Sequence, residues 1–576
     1  MLRDIIDAVR LEIRRLEEPC NRTRYFLFGK TDELETDEVV GFTFRNAPDR
    51  VLRDARWSGL RQEECLFRIG DAFVNGFMAL SENGVTVDFT LEELARQGLS
   101  ASRVQHAAER GIEYVMDTRE LTGHLVDFLE ARRDDENPVL DDMLSGAVPT
   151  PVDPVAKKGR FADLNPSQTR AIEKALSQRV TFVWGPPGTG KTRTMAALAV
   201  SLVKKKKRVL LSALSNLALD QLLLATVDRL GDAVHDLPIA RTGSQMSDAC
   251  APYGRRAFDR RGAGAKRGGS SWNDHVARSL LVASNFTMLT LPRGPHPGDF
   301  DYVLADEVSM SNIPSLAAAS FYAGTGMVLG GDPFQLPPIY PGDAEVPNDF
   351  FRRNVFETAG IGDRHDARVA FLDTQYRMQK EIGDLVSDLF YDNDLKTATA
   401  PVPRLGDFDS RVLFAQSSGR VQHTEDGAPG PEEQRRFNPA HAETVADYVV
   451  SLLKAGVAGS EIGVITPYNA QLVMIMEKLQ SAIGDNGALS GGPIKVSTIH
   501  SFQGQERRAI IVDFTDDNVR PSPLTARWEL INVALSRAKE QLVLVGNRHY
   551  LVNEEFFSRK EAKVFEKMLS HSVVMG

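Results

Sequence analysis

The feature that most constrains this chain is an eight-residue loop, GPPGTGKT, at residues 185–192. It fits the pattern G-x-x-x-x-G-K-[ST], in which backbone N–H groups converge on phosphate oxygens at the positive end of a helix dipole. A short apolar run at residues 180–184 precedes the loop, and an Ala/Leu-rich helical pattern at residues 193–202 follows it. With this strand and helix on its two sides, the loop predicts that the chain binds a nucleotide.

Each position of the loop has an expected part in that binding. Lys191 is expected to reach the β- and γ-phosphates, and the Thr192 hydroxyl is expected to bind Mg²⁺. The backbone around the phosphates is expected to come from Gly185, Pro186, Pro187, Gly188, Thr189 and Gly190.

Length and composition narrow the class of protein. The 576 residues suggest about three to five domains. The sequence has no apolar run near the roughly 18 residues of a membrane span, and its charged N-terminus does not resemble a secretory signal. Three scattered cysteines without a C-x-x-C pair favour a reducing compartment, the cytoplasm, and argue against structural zinc. The net charge of −10 means that any binding to nucleic acid must come from local basic surface.

The spacing of apolar residues divides the chain into two kinds of structure. A helical stripe ends at Pro19, short β-rich runs follow between residues 36 and 90, and helical spacing returns at residues 119–133. The Pro-, Asp- and Gly-rich residues 134–161 are interpreted as a linker. From Leu164 onward, short apolar strands alternate with helices, which is typical of parallel sheets buried on both faces. Roughly 400 residues of this pattern exceed one sheet, so two α/β domains are expected.

Polar residues stand where several of these strands end. Asp306 and Glu307 follow the run YVLA. Asp306 is placed to bind Mg²⁺, and Glu307 is placed to act as a base for the attacking water. The alternative is that two acids after a strand only cap the N-terminus of a helix, which is common. Gln335, in the turn after MVLGG, is a candidate γ-phosphate sensor. Arg377 and Arg537 are candidates to stabilise transition-state charge, although most arginines are solvated surface groups.

In their order, these segments resemble the motif series of superfamily-1 helicases, and most closely the up-frameshift, nonsense-mediated-decay-like subgroup. The resemblance covers about residues 160–550. The segments that carry it are LNPSQ (164–168), SNLALDQLL (215–223), DEVS (306–309), the stretch around Gln335, QYRM (375–378), FNPAHAE (437–443), ITPYNAQ (465–471), STIHSFQGQERR (497–508) and NVALSRAK (532–539).

The resemblance implies an α/β fold with two RecA-like parallel-sheet P-loop domains, preceded by a helical stalk and a small β-barrel-like module. It implies ATP and Mg²⁺ in the cleft between those domains. Lys191, Asp306 and Glu307 would lie on the first domain, and Arg377 and Arg537 on the second. Further nucleotide contacts are implied for Gln168 and Tyr376, which would read and stack on adenine, and for Glu506.

The expected domain boundaries combine these motifs with the composition. They are residues 1–22 for a stalk helix, 23–98 for the barrel-like module, 99–155 for the returning stalk helix and linker, 156–350 for the ATP-binding domain with a basic insert at about 230–275, 351–565 for the second RecA-like domain and 566–576 for a C-terminal tail.

The implied activity is that of an ATP hydrolase acting as a monomeric motor, which moves 5′→3′ on single-stranded DNA or RNA without membrane or structural zinc. The zinc-binding regulatory module of well-known relatives is missing from this sequence, and Val308 and Leu214 replace a usual Ala and Pro. Two alternatives stay open. One is a nucleotide-gated scaffold that binds nucleic acid without turnover, and the other is a translocase that strips protein without unwinding duplex.

A glycine-rich basic stretch, GRRAFDRRGAGAKRGG at residues 254–269, contains six basic residues and one acid. Flexible Arg/Gly segments can follow a phosphate backbone, whereas an isolated run of charge is usually only solvated. Both interpretations of this stretch stay open.

Overall fold

The structure is a computed structural model, and the chain divides into two compact units. The first unit comprises residues 1–17, 118–377 and 394–398, and the second comprises residues 18–117, 378–393 and 399–576. The residues described are 1–18, 23–36, 38–46, 63–69, 72–81, 84–110, 112–116, 118–145, 148–152, 161–243, 246–255, 257–258, 271–291, 295–338, 348–423, 435–484, 491–499, 502, 504–521 and 527–575. Over these ranges, every helix is too short or too polar to cross a membrane.

The first unit is built on a parallel sheet, as the alternating apolar strands and helices predicted. Within the described residues the sheet has seven strands, and each neighbouring pair is parallel. Their order is Val369–Phe371, Val180–Trp184, Ala323–Gly331, Phe300–Asp306, Val209–Ala213, Leu281–Ala283 and Ile239–Arg241. Because the strands are parallel, their carboxyl ends meet at one edge of the sheet.

Helices cover both faces of this sheet. One face packs against Pro166–Ala175, Lys191–Val203 and Asn216–Leu230, and the other against Leu2–Arg15, Arg119–Glu130, Pro138–Ser145 and Ile313–Ser320. The unit also contains the helices Trp272–Arg278, Phe286–Thr290, Asp349–Arg352 and Val355–Thr358, the 3₁₀ turns Gly231–Asp236, Ala251–Tyr253 and Val308–Met310, and a small parallel pair of strands, Thr374–Gln375 with Lys396–Thr397.

A helix occupies part of the segment that was interpreted as a linker. Pro138–Ser145 buries Val139, Leu140, Met143 and Leu144 against the first sheet's core. Their spacing is helical, but the surrounding Pro, Asp and Gly residues concealed the pattern. The linker interpretation of residues 134–161 is therefore wrong for this stretch.

The first sheet also extends beyond the boundary expected at residue 350. Val369–Phe371 pairs with Phe182–Trp184, and the chain through Arg377 belongs to the first unit. The assignment of Arg377 to the second domain is therefore corrected. A strand of three residues gives too short an apolar signal to be separated from a loop by sequence alone.

The second unit contains a closed antiparallel barrel. In the described residues its strands run in the order Thr23–Glu35, Val39–Asn46, Gly84–Thr90, Ala72–Ser81, Glu63–Ile69 and Ile112–Met116, and the last pairs with the first. Phe67 and Phe89 meet edge to face in its core, with ring centroids 5.3 Å apart. The helices Leu91–Arg96 and Ala101–Arg110 precede the last strand. The barrel thus ends at Met116, later than the expected residue 98.

The second unit also contains a second parallel sheet. Within the described residues its strand order is Lys495–Thr498, Ile462–Thr466, Arg507–Asp513, Ala538–Gly546, Val412–Gln416 and Val573–Met575. The other helices described in this unit are Lys380–Phe390, Pro439–Lys454, Asn469–Ile483, Trp528–Leu535, Arg548–Leu551 and Arg559–Ser570. It also contains a 3₁₀ turn at Gly459–Glu461 and an antiparallel pair, Gln422–His423 with Arg436–Phe437. Residues 566–576, expected to be a tail, instead supply the end of a helix and the edge strand Val573–Met575.

Two parallel-sheet α/β arrangements confirm the predicted fold class. Most of the basic stretch at residues 254–269 lies outside the described residues.

The buried helix Pro138–Ser145 generates a stability prediction. Met143 is fully buried, so Met143→Ala should lower the free energy of unfolding by about 2–5 kcal/mol through lost burial and a cavity. Asp141→Ala, on the exposed side of the same helix, is the control and should change it by at most about 0.5 kcal/mol. Urea denaturation followed by circular dichroism measures both; equal midpoints for the two variants would contradict the packing described.

Candidate nucleotide-binding site

The phosphate loop leaves the strand Val180–Trp184 and enters the helix Lys191–Val203 at the carboxyl edge of the first sheet. Gly188 and Gly190 both have a φ of +75°, a conformation that side chains disfavour. A Cβ on Gly188 would lie 2.6 Å from the Cβ of Arg377, and one on Gly190 would lie 2.8 Å from Nε2 of Gln168. Glycine is needed at both positions for the backbone conformation and for space.

Lys191 contacts both acids that follow the strand Phe300–Asp306. Its Nζ lies 3.4 Å from Oδ1 of Asp306 and donates to Oε1 of Glu307 at 2.9 Å. The Thr192 hydroxyl donates to Oδ2 of Asp306 at 3.0 Å. The two strands that carry these groups are separated by Ala323–Gly331 in the sheet, so the fold brings together residues more than a hundred positions apart.

Burial and neighbouring opposite charges act in opposite directions on the pKa of Lys191 and on that of Asp306. Burial raises the pKa of the Asp306 carboxyl, and the Lys191 ammonium counteracts part of that rise. Burial alone would lower the pKa of Lys191, but the carboxylates of Glu307 and Asp306 outweigh it and hold that pKa above its ordinary value. Lys191 is therefore a permanent cation, placed where phosphate oxygens would need one.

Glu307 has a left-handed backbone conformation, with a φ of +55°. Its backbone N–H donates to Oδ1 of Asp306 at 2.9 Å, and a 3₁₀ turn, Val308–Met310, follows directly. Non-glycine residues held in this conformation cost free energy and concentrate at functional sites. The turn aims the Glu307 carboxylate away from the strand axis and toward Lys191.

Oxygen ligands suited to Mg²⁺ are present at the same place. The Thr192 hydroxyl and the buried Asp306 carboxylate are hard oxygen donors within 3.0 Å of each other, and magnesium sites commonly use one or two such groups together with substrate phosphates. These residues fit the predicted magnesium site.

The turn after Ala323–Gly331 carries Gln335. Its Nε2 donates to Oδ2 of the buried Asp332 at 2.8 Å, and Asp332 also acts electrostatically on Lys191. Asp332 was not among the site residues predicted from the sequence. Its position directly after a strand of this sheet is the signal that could have identified it, since Asp306 was found in that way.

A third group of residues, Asn165, Gln168 and Tyr376, lies beside the phosphate loop. The Gln168 side chain donates to the Thr189 carbonyl at 2.9 Å and, with Asn165, forms a capping box at the start of Pro166–Ala175. Tyr376 donates its backbone N–H to the Gly188 carbonyl at 2.9 Å. Its hydroxyl accepts from Asn165 at 2.9 Å, and the side chain is 48% exposed. An exposed ring beside the loop is available for stacking.

Comparisons with known proteins identify the family of the chain. Two families, both described as "AAA domain", match residues 163–261 and 351–549. The chain is 27% identical to the DNA replication ATP-dependent helicase/nuclease JHS1 of Arabidopsis thaliana, over 67% of this chain and 28% of that protein. It is 27% identical to the Regulator of nonsense transcripts 1 homolog of Neurospora crassa, over 69% of this chain and 38% of that protein. The chain belongs to the up-frameshift-like superfamily-1 helicases. The motif resemblance is thereby confirmed.

A further curated relative and one solved structure were also found. The DNA replication ATP-dependent helicase/nuclease DNA2 of Saccharomyces cerevisiae is 28% identical over 69% of this chain and 26% of its own length. An arterivirus nonstructural protein 10 (helicase) in complex with DNA aligns at a TM-score of 0.32 and 16% identity, covering 66% of this chain and 62% of that one. This superfamily-1 chain thus spans less than a third of the length of the first curated relatives.

The second unit of this helicase-family chain carries the remaining predicted residues. Arg537 is buried, and its guanidinium donates to the Val533 carbonyl at 2.9 Å and to the Ser536 hydroxyl at 3.3 Å. Glu506 forms an ion pair with Lys539 at 2.6 Å. The Arg537 guanidinium also donates to the Gln505 carbonyl at 3.5 Å, and the nucleotide roles of Arg537 and Glu506 stay predictions.

The two motifs FNPAHAE and ITPYNAQ meet at the carboxyl end of the second sheet. Asp513 accepts from Nε2 of Gln471 at 2.7 Å and contacts Nδ1 of His441 at 3.0 Å, and Gln471 also accepts from the Asn438 backbone at 2.8 Å. All four residues are buried. Both motifs are visible in the sequence, but their connection through Asp513 is not, because that contact depends on strand order.

The segment SNLALDQLL begins the helix Asn216–Leu230 in the first unit. Oδ1 of Asn216 accepts from Arg241 and from Asn285, each at 2.9 Å. Arg241 is fully buried and pairs with Asp220 at 2.8 Å. These contacts fix the start of the helix at the same edge of the sheet that carries the phosphate loop.

The buried charges generate a prediction that depends on pH. Lys191→Ala leaves the buried Asp306 without its cation and should lower the free energy of unfolding by about 3 kcal/mol at neutral pH. Because the native pKa of Asp306 is raised, protonation at lower pH removes the isolated charge. The deficit relative to the unmodified chain should therefore shrink as the pH is lowered from neutral.

Lys204→Ala is the control for this experiment, since it removes an exposed ammonium just beyond the end of the same helix. Urea midpoints measured across the pH range compare the two variants. A Lys191→Ala deficit that is constant with pH, or equal to that of Lys204→Ala, would contradict the buried charge group.

Proposed function

We propose that the chain is an ATP-dependent helicase or translocase, which couples ATP hydrolysis to 5′→3′ movement on single-stranded DNA or RNA. The observation that carries the hydrolytic part is the convergence of Lys191, Thr192, Asp306 and Glu307 at one edge of the first sheet. A bare nucleotide-binding loop does not require a second carboxylate that can serve as a base. The names of the relatives, which include ATP-dependent helicases, agree with this proposal.

In the proposed reaction the phosphates of ATP take over the ammonium of Lys191. Lys191 then leaves Glu307, whose carboxylate becomes available to accept a proton from the attacking water. Thr192 and Asp306 would hold Mg²⁺, which when bound neutralises charge on the phosphate oxygens. Gln335 would contact the γ-phosphate, and Tyr376 would stack on the adenine beside Gln168.

The nucleic-acid partner is proposed from the relatives and from the surface beside the site. Leu214 and Leu217, at the start of the helix Asn216–Leu230, are 41% and 47% exposed. These two side chains flank Asn216, which accepts from Arg241 and Asn285, and the proposal gives them a contact with the nucleic acid. The direction of movement, the monomeric state, the absence of structural zinc and the cytoplasmic location stay predictions from the sequence.

The first test concerns the base. Glu307→Gln keeps the shape of the side chain but removes its basicity, so ATP turnover should fall by about 100-fold or more while ATP affinity changes little. Lys191→Ala should instead weaken nucleotide binding itself. Turnover is measured with and without single-stranded DNA or RNA, and binding is measured by calorimetry.

Glu357→Gln makes the same exchange at an exposed position in the first unit and is the control. Turnover by Glu307→Gln that matches this control would refute the assigned base. Binding of nucleic acid that responds to ATP without any turnover by the unmodified chain would favour the scaffold alternative.

The second test concerns direction. Movement toward the 3′ end predicts that duplexes with a single-stranded 5′ overhang are unwound and that those with only a 3′ overhang are not. The measurement is strand displacement with both overhangs, in DNA and in RNA, and Glu307→Gln serves as the inactive control. Displacement of streptavidin from a 3′ end without duplex unwinding would identify the translocase alternative, and a requirement for a 3′ overhang would refute the direction.

A further inference from the structure

We propose that Trp184 is a positioning residue, which sets the orientation of Gln335 through Asp332. This inference rests on the proposed ATP hydrolysis and assigns a role to the residue immediately before the phosphate loop. Trp184 ends the strand Val180–Trp184, and its strand partner Gly331 directly precedes Asp332.

The indole nitrogen makes a specific contact with Asp332. Nε1 of Trp184 donates to Oδ1 of Asp332 at 3.0 Å, and both residues are only 1% exposed. The same Oδ1 accepts from the Phe334 backbone at 3.1 Å, while Oδ2 accepts from Nε2 of Gln335 at 2.8 Å. One carboxylate therefore joins the indole to the amide of the candidate γ-phosphate sensor.

The indole ring adds a second link to the same turn. It meets the Phe334 ring edge to face, with centroids 4.9 Å apart and an interplanar angle of 85°. It also meets Phe371 edge to face at 5.9 Å, and Phe371 ends the strand that leads to Tyr376 and Arg377. Trp184 thus touches the turn with Gln335 and the strand before the Tyr376 turn, and it is covalently joined to the phosphate loop.

The energetic consequence follows from the burial of Asp332. A buried carboxylate must be stabilised by hydrogen-bond donors, and donors to a charged group contribute more than neutral ones. Removing the indole N–H takes one donor from Oδ1 of Asp332, so the orientation of that carboxylate, and with it that of the Gln335 amide, becomes less strongly fixed. A phenylalanine at position 184 would keep most of the aromatic packing while removing this donor.

The effect should appear in the chemical step and not in nucleotide affinity. The groups proposed to contact the phosphates are the loop backbone and Lys191 and do not include the indole, whereas Gln335 is proposed to act on the γ-phosphate during hydrolysis. Trp184→Phe should lower kcat by about 10-fold, with KM for ATP within about twofold of the unmodified chain.

The experiment is a double-mutant cycle on ATP turnover by the full chain, with Trp184→Phe, Gln335→Ala and both together. If Trp184 acts through Gln335, then Trp184→Phe should change kcat by less than about twofold in the Gln335→Ala background. Tyr322→Phe is the matched control, since it removes a different buried donor of the first unit, whose hydroxyl donates to the Leu289 carbonyl at 2.6 Å. It should leave kcat unchanged and show no coupling to Gln335→Ala.

Equal losses of kcat in both backgrounds, a change in KM alone, or a Tyr322→Phe effect as large as that of Trp184→Phe would each overturn the positioning role. If Trp184→Phe does not fold, a benzothienyl side chain at position 184 keeps the bicyclic shape, lacks the N–H, and carries the same test. Absence of turnover by the unmodified chain would overturn the proposed function and this inference together. Normal turnover with additive effects would overturn this inference alone.

Discussion

The first unit depends on one contact, in which the Lys191 ammonium meets the carboxylates of Asp306 and Glu307. A buried Asp306 is costly unless a cation lies beside it, and that cation can be there only if the phosphate loop and the strand Phe300–Asp306 end at the same edge of the sheet. Parallel pairing of both strands with Ala323–Gly331 provides this. The strand between them then delivers Asp332 and Gln335 to the same place.

The corresponding edge of the second sheet holds a buried carboxylate, Asp513, in a network of hydrogen bonds. Asp513 is surrounded by neutral or weakly basic partners, including Gln471, Thr466 and His441. Buried networks of this kind rigidify the residues that take part when their hydrogen bonds are satisfied. The first sheet thus holds a permanent cation at its edge, whereas the second holds a carboxylate fixed by hydrogen bonds.

Local patterns were sufficient to predict the phosphate loop, the strand before Asp306 and the core strands of both sheets, because each has a continuous apolar run or a fixed motif. They were insufficient where a short element gains its stability from tertiary pairing. Val369–Phe371 and Val573–Met575 have three residues each, and their hydrogen bonds come from neighbouring strands. The bond between Trp184 and Asp332 was also inaccessible, since it joins residues 148 positions apart.

The contact of Arg377 with the phosphate loop lies at the point where the chain leaves the first unit. The Gly188 position has no room for a side chain because the Cβ of Arg377 lies there. The backbone N–H of Tyr376 donates a hydrogen bond to the Gly188 carbonyl. The covalent chain passes into the second unit at the next residue, Met378. A single peptide bond, between Arg377 and Met378, therefore joins a residue packed on the phosphate loop to the second unit.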